Sequence, residues 1–205
     1  MKIIESVDVI AKNAIDSIKS HNKNHFVILI GGCSRSGKTT FSKQLAQITE
    51  ENGIDTRIIC IDSWLLSIEK RKTNSTVYER YDTEGIAKAL HDLLINKTII
   101  PPIYDPISRR QINNQNCPNL HIKSGIIIIE GTITLAIDKL VQKSNLNIFI
   151  QTSDCIRLKR LLDFYSRVKG LNKKEYKQII SSREKEEIPF IKKSARFADI
   201  IFQTT

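Results

Sequence analysis

The sequence predicts a three-layer α/β/α fold built on a mainly five-stranded parallel sheet. Three observations carry this: short continuous runs of β-branched residues, helical spacing in the segments between them, and a glycine-rich turn directly after the first run. The runs fall at 26–31, 56–61, 125–129, 146–151 and 198–202. Each is short and apolar at successive positions, which suits a strand covered on both faces. Before the first run, Ile3, Ile4, Val7, Ile10, Ala11, Ala14, Ile15 and Ile18 recur at helical spacing. An amphipathic N-terminal helix is therefore expected within 1–24. Residues 40–50 have helical spacing after the glycine turn. Segment 101–123 has two adjacent prolines, several asparagines and little periodicity, and reads as an ordered insertion on the acceptor side of the site. From 153 onwards a helical pattern carries Arg157, Arg160 and Arg167 at separations of three and seven, on one helix face, so 153–195 is expected to form a basic helical lid. No repeat interrupts this plan, and 205 residues suit a single domain over 1–205.

The glycine-rich turn reads Gly32-Cys33-Ser34-Arg35-Ser36-Gly37-Lys38-Thr39 and fits G-x-x-x-x-G-K-[ST], the phosphate-binding loop of P-loop NTPase folds. Its glycines let successive backbone N–H groups point at phosphate oxygens, and the following helix adds its positive dipole end. Residues 32–40, Thr40 included, are the candidate nucleotide cradle. Lys38 is placed to reach the β/γ-phosphates and Thr39 to hold Mg²⁺, so ATP and Mg²⁺ are the implied co-substrate and metal.

Ligands of an open parallel sheet sit beyond the carboxyl ends of its strands. Residues just after each run are the candidates: Asp62, Glu130-Gly131 and Thr152-Ser153-Asp154. Glu130 ends a run of four isoleucines and is suited to ordering Mg²⁺; capping a helix beginning near Thr132 is the alternative. Asp62 is suited to orienting or accepting the proton of an acceptor hydroxyl, and a helix cap or turn is its alternative. Arg160 and Arg167 are the lid cations expected to meet the transferring phosphoryl group, with a solvated helix face as the bland reading.

The formal net charge is +10, and segment 157–196 holds thirteen Lys and Arg against five Asp and Glu. A surplus this local suits closure over a polyphosphate. It lacks the interleaved aromatics that would stack bases, which disfavours nucleic acid as partner. Residues 1–19 have no continuous apolar stretch of the signal-peptide kind and no run approaches membrane-spanning length, so a cytoplasmic protein with no membrane partner is expected. Cys33, Cys60, Cys117 and Cys155 form no C-x-x-C pair and read as reduced, small core residues. The Asn-Lys pair Asn96-Lys97 is followed by Thr98-Ile99 and so lacks the Asp that reads guanine, as do Asn22-Lys23 and Asn172-Lys173, which argues against a GTPase switch.

With these motifs placed, the chain resembles the uridine kinase and phosphoribulokinase group of P-loop kinases over 26–203. Its GGCSRSGKTT is similar to the family's GGSGSGKTT type, Ile61-Asp62-Ser63-Trp64 to a D-S-F-Y segment, and Arg80-Tyr81-Asp82 to an N-F-D triplet. Pro102-Ile103-Tyr104-Asp105 is similar to P-x-Y-D, the IIIIEG strand end to apolar-E-G, and the tail from Ser194 to a T-K-x-Y-A-D-x-I-I ending. The resemblance implies transfer of the ATP γ-phosphoryl group to a hydroxyl of a small-molecule acceptor of the uridine or cytidine kind. It also implies Asp62 as catalytic, with Asp82 and Tyr104 in the acceptor pocket; read from the residues alone, both are equally suited to structural roles.

Departures from the pattern are specific. Trp64 and Leu65 replace the two aromatics of D-S-F-Y, and Pro106 and Arg109 stand where the family has an aromatic and a base-reading His. A gap-free match on Gly170 puts Phe164 and Tyr165 at an Arg-Asp pair, and Lys169 and Leu171 at arginines flanking that glycine. Arg160, Arg167 and Arg183 are the candidates to compensate. Arg109 favours an anionic or sugar-like acceptor, because a guanidinium pairs bidentately with phosphate or carboxylate. A sugar or phosphosugar kinase and a nucleotide-dependent regulatory or binding protein with weak transfer are the competing readings. Self-association into a homo-oligomer stays open.

Overall fold

The computed structural model describes residues 2–4, 6–21, 24–112, 118–168 and 172–204. In chain order its main elements are β1 (Lys2–Ile4), α1 (Val7–His21), β2 (His25–Gly32), α2 (Lys38–Glu51), β3 (Thr56–Cys60), α3 (Thr83–Leu94), β4 (Ile103–Asp105), β5 (Arg110–Ile112), β6 (Gly125–Glu130), α4 (Asp138–Val141), β7 (Leu146–Thr152), α5 (Asp154–Asp163), α6 (Lys173–Ser194) and β8 (Ile200–Thr204). Six strands form one sheet in the order β1-β8-β7-β2-β6-β3, every pairing parallel.

Five of these are the expected strands. The sixth, β1, corrects the expectation of a helix from residue 3. Ile3 and Ile4 pair with Ile201 and Phe202 along the edge of β8, and the helix starts only at Val7. Two β-branched residues gain ladder hydrogen bonds on an edge that β8 would otherwise leave unpaired, and that pairing outweighs the helical spacing they share with the residues behind them.

The core follows the period of two. In β6, Ile126 and Ile128 join a cluster with Ile10, Ala14, Phe41 and Leu45 from α1 and α2. Ile127 and Ile129 join the opposite cluster with Ile86, Leu90 and Leu93 of α3 and Ile188 and Ile191 of α6. Burying each isoleucine stabilises the fold by about 2 kcal/mol relative to exposure. Helices on both faces therefore require β6 to be apolar throughout, and its one polar residue, Glu130, comes at the carboxyl end.

Strand order positions the site. From β2 the chain crosses to β3 at one edge, returns to β6, then passes beyond β2 to β7 and β8. Connections thus leave β2 in opposite directions, which opens a crevice at its carboxyl end. Segment 101–123 carries the antiparallel β4–β5 hairpin, and Cys117 lies outside the described residues. After α5 the chain winds into a π-helical turn, Phe164–Val168. Lys169, Gly170 and Leu171 lie outside the described residues. Asn172 then opens α6 with a capping box to Glu175.

Candidate active site

A cleft of about 1150 Å³ opens at the carboxyl end of the sheet. The P-loop forms its floor, running from the end of β2 to the first turn of α2. Gly32 has φ 146, and a Cβ there would stand 2.5 Å from the Ile150 carbonyl oxygen, so this turn requires glycine. Lys38 is buried, and its Nζ donates to the carbonyls of Gly32 (3.0 Å) and Cys33 (2.9 Å), dipoles that satisfy the ammonium at the mouth of the loop. The last strand braces the loop, since Thr204 Oγ1 donates to the Ser36 carbonyl at 3.1 Å. Ser34, Arg35, Gly37, Lys38, Thr39 and Thr40 line the cleft, whereas Cys33 and Ser36 line a smaller cavity of about 390 Å³ beside β7.

Both sequence-predicted carboxylates open on the same cleft. Glu130 is 2% exposed, and its Oε1 accepts a hydrogen bond from Thr39 Oγ1 at 2.9 Å. It caps no helix: a 3-10 turn over Thr134–Ala136 and then α4 follow without its side chain. Glu130 has no basic partner among the described residues. A carboxylate buried against a hydroxyl is a hard oxygen pair that suits Mg²⁺, which takes one or two protein ligands and completes its shell with phosphates and water. Among the described residues no cluster of three His, Cys, Asp or Glu is present. Cys60 stands next to this pair; burial, then the charges of Asp62 and Glu130, push its thiol pKa far up, so it stays protonated.

Asp62 lies in a 3-10 turn, Ile61–Trp64, that follows β3 directly. Its Oδ1 accepts from the Tyr81 hydroxyl at 2.9 Å, and Oδ2 has no protein donor among the described residues. Burial, reinforced by Asp62, raises the Tyr81 pKa well above the usual phenol value, making Tyr81 a permanent donor. The sequence reading missed this role, although a hydroxyl in place of the Phe of an N-F-D triplet was its signal. It also missed Gln44, Phe202, Gln203 and Thr204 on the cleft wall. The carboxyl-end rule, applied to the last strand, would have found the final three.

The other acceptor-side candidates are not on that wall. Asp82 caps α3, Oδ1 accepting from the Gly85 N–H at 2.9 Å, while its own N–H bonds the Trp64 carbonyl of the Asp62 turn. Tyr104, in β4 beside that turn, accepts from Arg71 Nη2 at 2.7 Å. Arg109 sits in the β4–β5 turn at φ 59, bonded through its backbone to Asp105 and Ile68.

The three arginines expected in the lid separate. Arg157 is 2% exposed and clamps Glu184 with Asp154. Arg160 lines the cleft, its Nη1 3.9 Å from where a Cβ on Gly37 would lie. Arg167 is exposed and paired with Asp163. A π turn winds less per residue than an α turn, so the stretch 164–168 rotates Arg167 off the face that Arg160 occupies. Phe164 meanwhile lies under the P-loop's Arg35, whose guanidinium carbon is 3.7 Å from the ring centroid. Cys33 fits the expected buried thiol, Cys60 is half-buried and Cys155 is exposed.

A parallel sheet with this strand order, a P-loop at its switch point and two carboxylates facing it define a P-loop nucleotide-binding protein. The model of the Phosphoribulokinase / Uridine kinase family matches residues 27–205, and the chain belongs to that family. It is an ATP-dependent phosphotransferase by that membership. It is 31% identical over 192 residues to a uridine kinase of Ligilactobacillus salivarius, covering 88% of this chain and 86% of the relative. A uridine kinase of Clostridium tetani is 30% identical over 190 residues, covering 88% and 87%. Among solved structures, a candidate fructose transport system kinase from Silicibacter sp. TM1040 superposes with a TM-score of 0.77 at 17% identity, covering 97% of this chain and all of that one. At that identity the likeness bears on the fold alone. Among the described residues no helix is long and apolar enough to cross a membrane.

Proposed function

We propose that this chain transfers the γ-phosphoryl group of ATP to a hydroxyl of a small acceptor, with a nucleoside of the uridine or cytidine kind as the leading class. One observation carries the reading: Asp62 and the Thr39–Glu130 pair open on the cleft that the P-loop floors. The acceptor hydroxyl gives its proton to Asp62 while its oxygen forms the bond to the γ-phosphorus. The bond from that phosphorus to the β–γ bridging oxygen breaks, and ADP leaves. Tyr81 holds one Asp62 oxygen, which orients the other towards the acceptor. Lys38 is the cation for the β- and γ-oxygens, and Arg160 reaches the phosphates from the lid. Mg²⁺ held by Thr39 and Glu130 would neutralise charge on the β- and γ-phosphates.

The nucleoside class is supported by the uridine kinase relatives at about 30% identity. A sugar-like or anionic acceptor is the second reading. Arg71 on Tyr104 and Arg109 in the adjoining turn bring two guanidinium groups to the acceptor-side hairpin, where a base-reading group is absent from the matched positions. ADP release from ATP·Mg²⁺ across nucleosides, phosphosugars and small alcohols separates these, with Asp62→Asn as control. Stimulation by one class, lost in Asp62→Asn while ATP binding is retained, is the expected result. Slow hydrolysis that no acceptor stimulates would replace the kinase with a nucleotide-dependent regulatory protein, and Lys38→Ala weakens nucleotide binding in either case.

A further inference from the structure

Arg35 holds an unusual place in the P-loop. Its φ is 63, a left-handed conformation that strains any residue with a Cβ and that glycine adopts freely. Matched on the shared Gly-Lys-Thr-Thr, it stands at a glycine of the GGSGSGKTT pattern. Retaining an arginine where the backbone favours glycine is a local conflict of the kind that concentrates at functional sites.

The side chain lines the same cleft as Lys38, Thr39, Asp62 and Glu130. Among the described residues the guanidinium has no carboxylate partner and no hydrogen bond; it rests on the Phe164 ring. It therefore shares one cleft with the nucleotide floor and with Asp62. Phe164 opens the π-helical turn, a rare element that recurs at functional sites. Of the other guanidinium groups expected in the lid, Arg160 lines the same cleft, Arg167 is paired with Asp163, and Arg183 lies over the Tyr165 ring and beside Glu187.

We infer that Arg35 is a catalytic residue, supplied in cis by the P-loop: its guanidinium leaves the Phe164 ring to pair with the γ-phosphoryl oxygens as the bond from the acceptor oxygen forms and the bond to the β–γ bridging oxygen breaks. The aromatic pair Phe164-Tyr165 and the arginine at 35 are then two halves of one exchange. The lid gives up a cation and provides a resting surface, and the phosphate loop carries the cation. A planar fork meets the equatorial oxygens in register only as the phosphoryl group flattens in transfer, so its effect belongs to kcat more than to ATP affinity. This rests on the kinase reading above.

The test compares the parent, Arg35→Gly and Arg35→Lys with the best acceptor of the panel, measuring kcat and the equilibrium Kd for ATP·Mg²⁺ separately. Glycine suits φ 63, so Arg35→Gly should fold with an unchanged unfolding midpoint. Its kcat should fall about 10²-fold or more, with the ATP Kd within about threefold of the parent. Arg35→Lys should recover part of the rate, since it restores the charge without the fork. A kcat for Arg35→Gly within about threefold of the parent would overturn the inference, as would a loss confined to the ATP Kd. A parent that no acceptor stimulates would overturn the kinase reading and this inference together, whereas an active parent matched by Arg35→Gly overturns this inference alone.

Discussion

Two arginines one helical turn apart should have opposite consequences when replaced by methionine. Arg157 is 2% exposed, with Nη2 2.7 Å from both Glu184 oxygens and Nε 3.3 Å from Asp154, so it ties α5 to α6. Removing one partner of a buried ion pair costs about 3–5 kcal/mol when the other charge stays buried. Here Glu184 is 31% and Asp154 54% exposed, so both can regain water and the expected loss falls to about 2 kcal/mol. Methionine retains most of the apolar stem's volume, which keeps the cavity contribution small. With a urea dependence of about 2 kcal/mol per molar, the Arg157→Met midpoint should fall by roughly 1 M, while kcat at low temperature stays at the parent value. Arg160→Met should do the reverse: a midpoint within about 0.3 M of the parent and a kcat at least tenfold lower, because that side chain faces the cleft. Urea unfolding and steady-state kinetics on both variants decide it. If Arg157→Met lowers kcat as much as Arg160→Met and leaves the midpoint in place, the division between a structural and a functional arginine is wrong.

Glu130→Gln should raise the Mg²⁺ concentration for half-maximal activity by about tenfold or more, since a neutral amide is a poor ligand for a hard cation; a Mg²⁺ titration at fixed ATP reads it, and an unchanged midpoint would assign Glu130 to packing. Tyr81→Phe deletes only the donor to Asp62 and should lower kcat about three- to tenfold with the ATP KM unchanged, whereas an unaltered kcat would reduce that hydrogen bond to a packing contact. Acid should loosen the α5–α6 junction. The hydrogen bond from Lys192, then its charge and Arg157, hold the Asp154 pKa below the ordinary carboxylate range. A depressed folded pKa stabilises the fold above the unfolded value of about 4, and that contribution disappears as pH falls through the folded value. Lys192→Met should therefore reduce the midpoint loss between about pH 5 and pH 3 in urea unfolding, and an identical pH profile would contradict the assignment.

What the sequence made legible was whatever depended on one local rule. Gly32 to Thr39 announces its backbone geometry by spacing alone, and the rule that strand ends face the ligand picks out Asp62 and Glu130, both of which line the cleft. Ile3 and Ile4 were misread because spacing cannot report a vacant sheet edge many residues away. Segment 153–195 shows the limit most sharply. Arg157, Arg160 and Arg167 share a face on an ideal α-helix, yet one is buried in an ion pair, one faces the cleft and one is turned to solvent. The first outcome depends on Glu184, which comes twenty-seven residues later on α6. The last depends on a π turn, whose wider winding breaks the periodicity from which the shared face was inferred. Arg35 is the converse case. A residue counted as one of the loop's unspecified positions becomes informative only when its positive φ and its aromatic neighbour are both visible, because tolerated strain is a property of the folded backbone and leaves no period in the sequence.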